Sequence, residues 1–118
     1  MATAGEFKQQ ILQVYNAVHQ SLFGLGLRRQ SVELISNKVI IVDVSPRAPV
    51  LKTLADDRPD LVSITDEILL EAYKRQFSQE LRDRLQLNIV AILKDYDAAT
   101  EYSGTIILLD RDVSCYYE

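Results

Sequence analysis

The stretch SITDEILLEAYKRQFSQELRDRL, Ser63 to Leu85, decides how this chain is read. Leu70, Tyr73, Phe77, Leu81 and Leu85 recur at steps of three or four residues, which places them on one stripe of a 3.6-residue helix. Ile64 and Ile68 widen that stripe in the first turns. Glu71, Lys74, Arg75, Glu80, Arg82 and Arg84 form a charged face suited to water. Ser63 or Thr65 is placed to cap the start, and Asp66 and Glu67 sit where the positive end of the helix dipole favours carboxylates. The pattern predicts one long amphipathic helix whose apolar side the rest of the chain must cover.

Toward the N-terminus, Asp56 to Asp60 reads as an acidic, proline-broken turn, and Pro49 opens a short helix through Ala55 with Leu51 and Leu54 inward. Pro46 and Pro49 close the exit of a strand over Lys38–Ser45, because proline has no amide to donate to a sheet. That strand carries Val39, Ile40, Ile41, Val42 and Val44, apolar on both faces, with Asp43 its one internal charge. Ser36-Asn37-Lys38 joins it in a hairpin to a strand over Ser31–Ile35, with Asn37 expected to take positive φ. Before that lies a first helix, with Phe7, Ile11, Val14, Tyr15, Val18 and Leu22 on one face, ended by Gly24 and Gly26.

Beyond Leu85 the period changes to alternation. Leu87, Ile89, Ala91 and Leu93 are assigned to one face of a third strand, and Val90 and Ile92 to the other. A polar connection over Asp95–Gly104 leads to a fourth strand, Thr105–Asp110. The order α-β-β-α-α-β-β predicts an α+β fold: a four-stranded, mainly antiparallel sheet with two long helices and one short one on a single face. Residues 1–118 form one domain in this reading, with 1–5 loose and 114–118 a short tail.

A net charge of −4 and the lack of a concentrated basic face argue against nucleic acid. The single cysteine, Cys115, has no partner for a disulfide or a zinc site. No apolar run approaches the roughly 18 residues needed to span a bilayer, and residues 1–6 do not have the pattern of a signal peptide, so a cytoplasmic location is expected. His19, the only histidine, lies beside the apolar stripe of the first helix without a positioned partner, and reads as a solvated or hydrogen-bonded residue rather than a general base. Cys115 is opposed by Asp112 and Glu118 as a thiolate. Asp95, Asp97 and Glu101 have oxygen ligands for a hard cation but not an EF-hand spacing, and read as solvated. Gly24-Leu25-Gly26 follows a helix rather than preceding one, the wrong order for a phosphate loop. The residues therefore propose a non-enzymatic protein with no catalytic residue, metal site or cofactor.

The helix ending at Gly24-Leu25-Gly26, the strand Lys38-Val39-Ile40-Ile41-Val42, the segment Tyr73-Lys74-Arg75-Gln76-Phe77 and the final Ile106-Ile107-Leu108-Leu109-Asp110 together resemble a bacterial family. It is named for the MpsC component of a sodium-translocating, membrane-potential-generating system. The resemblance runs from Phe7 to about Val113. Leu27 stands where that family usually has proline, and Ser45 to Pro49 departs from its pattern. The resemblance implies a fold and an accessory role in transport, with no catalytic residues. In size and style the chain is also similar to small cyanobacterial chaperones of carboxysome assembly of the CcmS type, which implies a dimer that recognises an extended tail of a shell protein.

A sheet with helices on one side and apolar residues on both leaves one greasy face bare. This predicts a homodimer. The leading functional expectation is a dimeric adaptor or assembly chaperone that binds an extended peptide of a partner protein, for example a carboxysome shell protein, with Leu25, Leu27, Arg28 and Arg29 as contact residues. The alternative is a small-ligand- or ion-responsive accessory subunit of a bicarbonate- or sodium-linked membrane transport system.

Overall fold

The computed structural model describes residues 1–118. Its elements follow in the order α1 (Ala4–Phe23), β1 (Arg28–Ile35), β2 (Lys38–Val44), α2 (Pro49–Asp57), α3 (Pro59–Leu85), β3 (Ile89–Tyr96) and β4 (Tyr102–Leu109), with a 3-10 turn over Val113–Tyr116. The strands form one antiparallel sheet in the order β1-β2-β4-β3, so the fold is the α+β arrangement expected, with two long helices and one short helix.

α1 begins with a reciprocal cap. Thr3 Oγ1 accepts from the Glu6 amide and the Glu6 carboxylate accepts from the Thr3 amide, satisfying two amides that have no partner in the helix. It ends at Gly24, whose φ of +68° is open to glycine and costly to other residues. Phe7, Ile11, Val14, Tyr15 and Val18 are buried along its predicted stripe. α3 supplies the facing layer with Tyr73, Phe77 and Leu81, all fully buried. A fully buried side chain of this size contributes about 2–3 kcal/mol through apolar area alone.

Several local expectations are corrected. α3 starts at Pro59 rather than Ser63, so the acidic turn is helical except at Arg58, which ends α2 and begins α3. Proline suits the first helical position because its missing N–H would have no acceptor there. No side chain caps this end, so Ser63 and Thr65 lie inside the helix. Ile64 and Ile68 do not join the core; they are 55% and 63% exposed, together with Leu61, on the first half of α3. At the β1–β2 turn Ser36, not Asn37, takes positive φ. The Asn37 side-chain amide instead donates to the Leu109 carbonyl.

The register sorts the sheet into rows. On the helix-facing side the first row is Leu34, Val39, Ile107 and Ile92, the next is Val32, Ile41, Thr105 and Lys94, and the last contains Asp43, Ser103 and Tyr96. Polarity therefore rises along the covered face from an apolar end to one rich in hydroxyls and charge. A register shift between Ile89 and Ala91 breaks the alternation of β3. It turns Ile92 and Lys94 toward the helices and Ala91 and Leu93 away, correcting the face assignment made from period alone.

The other side carries the rows Ile35, Lys38, Leu108 and Ala91; then Glu33, Ile40, Ile106 and Leu93; then Ser31, Val42, Gly104 and Asp95. No helix packs on it: Ile35 is 55%, Leu93 52% and Val42 38% exposed.

Candidate functional site

The polar end of the covered face is built around Tyr15. Its phenol donates to Asp43 Oδ2 at 2.6 Å, and Ser45 Oγ donates to Asp43 Oδ1 at 2.8 Å. Lys94, placed inward by the bulge in β3, donates from Nζ to Tyr15 Oη (2.7 Å), Ser103 Oγ (2.9 Å) and Thr105 Oγ1 (3.1 Å). The ammonium also lies 4.8 Å from the Tyr15 ring centre and 4.4 Å from that of Tyr73. Aromatic faces attract a cation through their quadrupole. Asp43 and Lys94 thus form a charge pair separated by one phenol, with no direct ion pair between them.

Burial governs the ionisation of this cluster. It lowers the Lys94 ammonium to about 8, while the Asp43 charge pulls in the opposite direction, so Lys94 remains mostly charged at neutral pH. Tyr15 is pushed well above the ordinary phenol range by burial and then by Asp43. Tyr73 moves the same way, chiefly by burial, and its hydroxyl donates to the Tyr15 carbonyl at 2.7 Å.

His19, one turn beyond Tyr15 on α1, is 5% exposed, and its Nε2 has no hydrogen-bond partner. This corrects the solvated reading of that residue. Its ring packs 4.6 Å from Phe23, centre to centre. Burial, then repulsion from Lys94, lowers its basicity to about 4, so the imidazole is neutral at pH 7.

His19, Lys94 and Ser103 border a cavity of about 60 Å³ between α1, α3, the β2–α2 loop and the end of β3. Arg47 shapes its rim. The Arg47 amide donates to Glu101 Oε2 at 2.6 Å, its Nη2 donates to Asp66 Oδ2 at 2.8 Å, and its guanidinium lies 5.6 Å over the Tyr96 ring. One arginine thereby ties the β2–α2 loop to α3 and to the β3–β4 turn. Much of the remaining wall is apolar, with Phe23, Leu51 and Leu70 among its residues.

The residues singled out as contacts lie elsewhere. Leu27 packs against the core, Leu25 is half-buried, and Arg28 and Arg29 are exposed at the start of edge strand β1. A register shift falls between Arg28 and Ser31, where Arg29 has φ +52°. Asp97 and Glu101 spend their carboxylates on Thr100 and Arg47, and no group of three or more metal-ligating side chains is assembled. Cys115 is exposed. The Tyr15–Asp43–Lys94 cluster was missed from sequence because it forms only when three strands are in register. Its visible trace was Asp43, the one charge inside a strand that is otherwise apolar after Lys38.

Residues 3–111 match the family described as "Na+-translocating membrane potential-generating system (MpsC)". The chain belongs to the MpsC family. No curated protein and no solved structure gives a significant match. No helix of this MpsC-family chain is long and apolar enough to cross a membrane.

Proposed function

We propose that this protein is a ligand-responsive accessory subunit of a sodium-linked membrane transport system, acting as a homodimer through the bare face of its sheet. The observation that carries the proposal is that face, uncovered by any helix and apolar along Ile40, Val42, Ile106, Leu108 and Leu93, in a chain of the MpsC family.

A second copy suits the face in size. Four strands about 4.8 Å apart, each about seven residues long, present roughly 450 Å² of flat sheet, a large share of the roughly 800 Å² per partner in a stable complex. Gly104 leaves a shallow gap between Val42 and Asp95 that a side chain from the other copy can enter; a Cβ there would meet nothing within 4 Å. With the face occupied, the membrane partner is left the free edge of β1, where Leu25, Leu27, Arg28 and Arg29 lie in and beside the approach to the strand.

The test is co-sedimentation of the purified chain with membrane vesicles containing the transport system's membrane subunit. Specific retention, weakened by Arg28→Glu with Arg29→Glu, supports the role. Equal retention on vesicles without that subunit contradicts it.

A second reading, an adaptor that takes an extended tail such as that of a shell protein, is favoured by the two free edges β1 and β3. Binding of an isolated extended peptide with no affinity for the transport subunit would select it instead.

A further inference from the structure

The sheet is open along a short, defined stretch of its β3 edge. The Asp97 amide donates to the Tyr102 carbonyl, and the unbroken register from Ala91 to Tyr96 turns Asp95, Leu93 and Ala91 toward β4 in the same way. The backbone amides and carbonyls of Tyr96, Lys94 and Ile92 therefore point away from the sheet. The Tyr96 amide is closed by Asp95 Oδ1 at 2.8 Å, and at the other end the bulge at Val90 interrupts the ladder. Two rungs, at Ile92 and Lys94, are left without a partner.

α3 runs alongside them. Glu71, Lys74, Arg75, Ser78 and Arg82 form one wall of an open cleft of about 310 Å³, and Ile89 to Ile92 form the other. Three cations stand there against one carboxylate, in a chain of net charge −4. Lys74 is paired with Glu71 at 3.0 Å. Arg75 and Arg82 make no ion pair, and the one side-chain hydrogen bond of Arg82 goes to the Ile89 carbonyl at 3.4 Å. Seven residues of helix separate the two arginines by about 10 Å, close to the length of three residues of strand, so the pair follows the open edge.

A segment added antiparallel to β3 places residues opposite Ile92 and Lys94, whose own side chains face the helices. The added side chains at those positions point to the same side, toward Arg75 and Arg82. Those between them continue the outer face beside Ala91 and Leu93. Carboxylates alternating with apolar groups suit both sides. A second copy does not suit this edge, because edge-to-edge pairing would bring Arg75 and Arg82 of both chains to one seam with like charges opposed.

We propose that the cleft between α3 and the β3 edge binds a short extended peptide of a partner protein. The peptide adds as a fifth, antiparallel strand, with acidic residues at alternate positions reaching Arg75 and Arg82 and apolar residues between them. The inference rests on the extended-tail reading and gives it an edge, a direction and a sequence chemistry; it is independent of the transport role.

Fluorescence anisotropy of the full chain with a labelled eight-residue peptide of alternating glutamate and valine tests it. The glutamine and lysine counterparts and an oligothymidylate of similar charge are run beside it, with the backbone amides followed by NMR. Expected is saturable binding of one peptide per chain, about tenfold tighter than the glutamine form, with shifts centred on the amides of Ile92 and Lys94. Arg75→Glu with Arg82→Glu, at two exposed positions, should weaken binding about tenfold, whereas Arg28→Glu with Arg29→Glu should not change it. N-methylation of the glutamates, whose amides face β3 in this pairing, should abolish it. Equal binding of the glutamine or lysine peptide overturns the acidic chemistry, and tighter binding of the oligonucleotide overturns the peptide class. Indifference to N-methylation overturns strand addition. Binding that survives the Arg75 and Arg82 changes but not the Arg28 and Arg29 changes sinks the β3 site and leaves the extended-tail reading standing at β1. No binding of any peptide by the folded wild-type chain sinks both.

Discussion

Tyr15 is the residue on which the polar end of the core depends, because it stands between a buried carboxylate and a buried ammonium. Tyr15→Phe removes the proton held by Asp43 and an acceptor used by Lys94, leaving charged groups short of partners away from water. The expected loss is about 3 kcal/mol in urea denaturation. Tyr73→Phe loses one hydrogen bond to a carbonyl that remains within a helix, and should cost about 1 kcal/mol. Equal costs would mean that Tyr15 does not bridge the charges. His19 sets an acid limit. The unfolded chain takes up its proton near pH 6.5, whereas the folded chain resists down to about 4. This contribution to stability is complete above pH 6.5 and is lost as pH falls to 4, about 1–2 kcal/mol once screening by solvent is allowed for. His19→Phe should flatten that part of the stability profile. At this scale sequence revealed little. Asp43 stood out as a charge among β-branched residues, but Lys94, Ser103 and Thr105 are ordinary until a bulge and two strand registers bring them together.

Secondary elements were far more legible, because helix periodicity and turn residues are local. The stripe from Phe7 to Val18 and the run Tyr73, Phe77, Leu81 were read correctly, as was the stop at Gly24. Errors arose where a neighbour, not the segment, decides. The shift at Val90 reversed the faces of β3, and Pro59 rather than a hydroxyl residue began α3. The helix ends provide direct tests. Thr3→Ala removes the reciprocal cap of α1 and should cost about 1 kcal/mol in thermal or urea unfolding. Gln86 closes α3 in the left-handed region at φ +53°, with its side-chain amide donating to the Asp83 carbonyl at an exposed site. Gln86→Gly should therefore stabilise the chain by about 0.5 kcal/mol, since glycine adopts that conformation without a side-chain clash. A loss of stability would show that the side-chain bond outweighs the backbone relief.

At the scale of the molecule, α3 is about 40 Å long at 1.5 Å per residue, and it accounts for most of the 50 Å long axis. Two long helices of this kind cover one side of the sheet and no more. The other side has its apolar rows open to water, with Ile40, Ile106 and Leu93 adjacent across three strands. That both faces are apolar was visible in the run Val39 to Val44; which residues face outward required the register. Leu93 and Val42 make few demands on the fold, being 52% and 38% exposed, so Leu93→Arg and Val42→Lys should leave the melting temperature of the separated chains nearly unchanged. Sedimentation equilibrium of the wild-type chain and these two variants measures pairing through this face most directly. Pairing through this face gives twice the 13.4 kDa chain mass for the wild type at tens of micromolar and the single-chain mass for both variants. A wild-type chain that sediments at 13.4 kDa throughout, or variants that pair as well as it does, would contradict it.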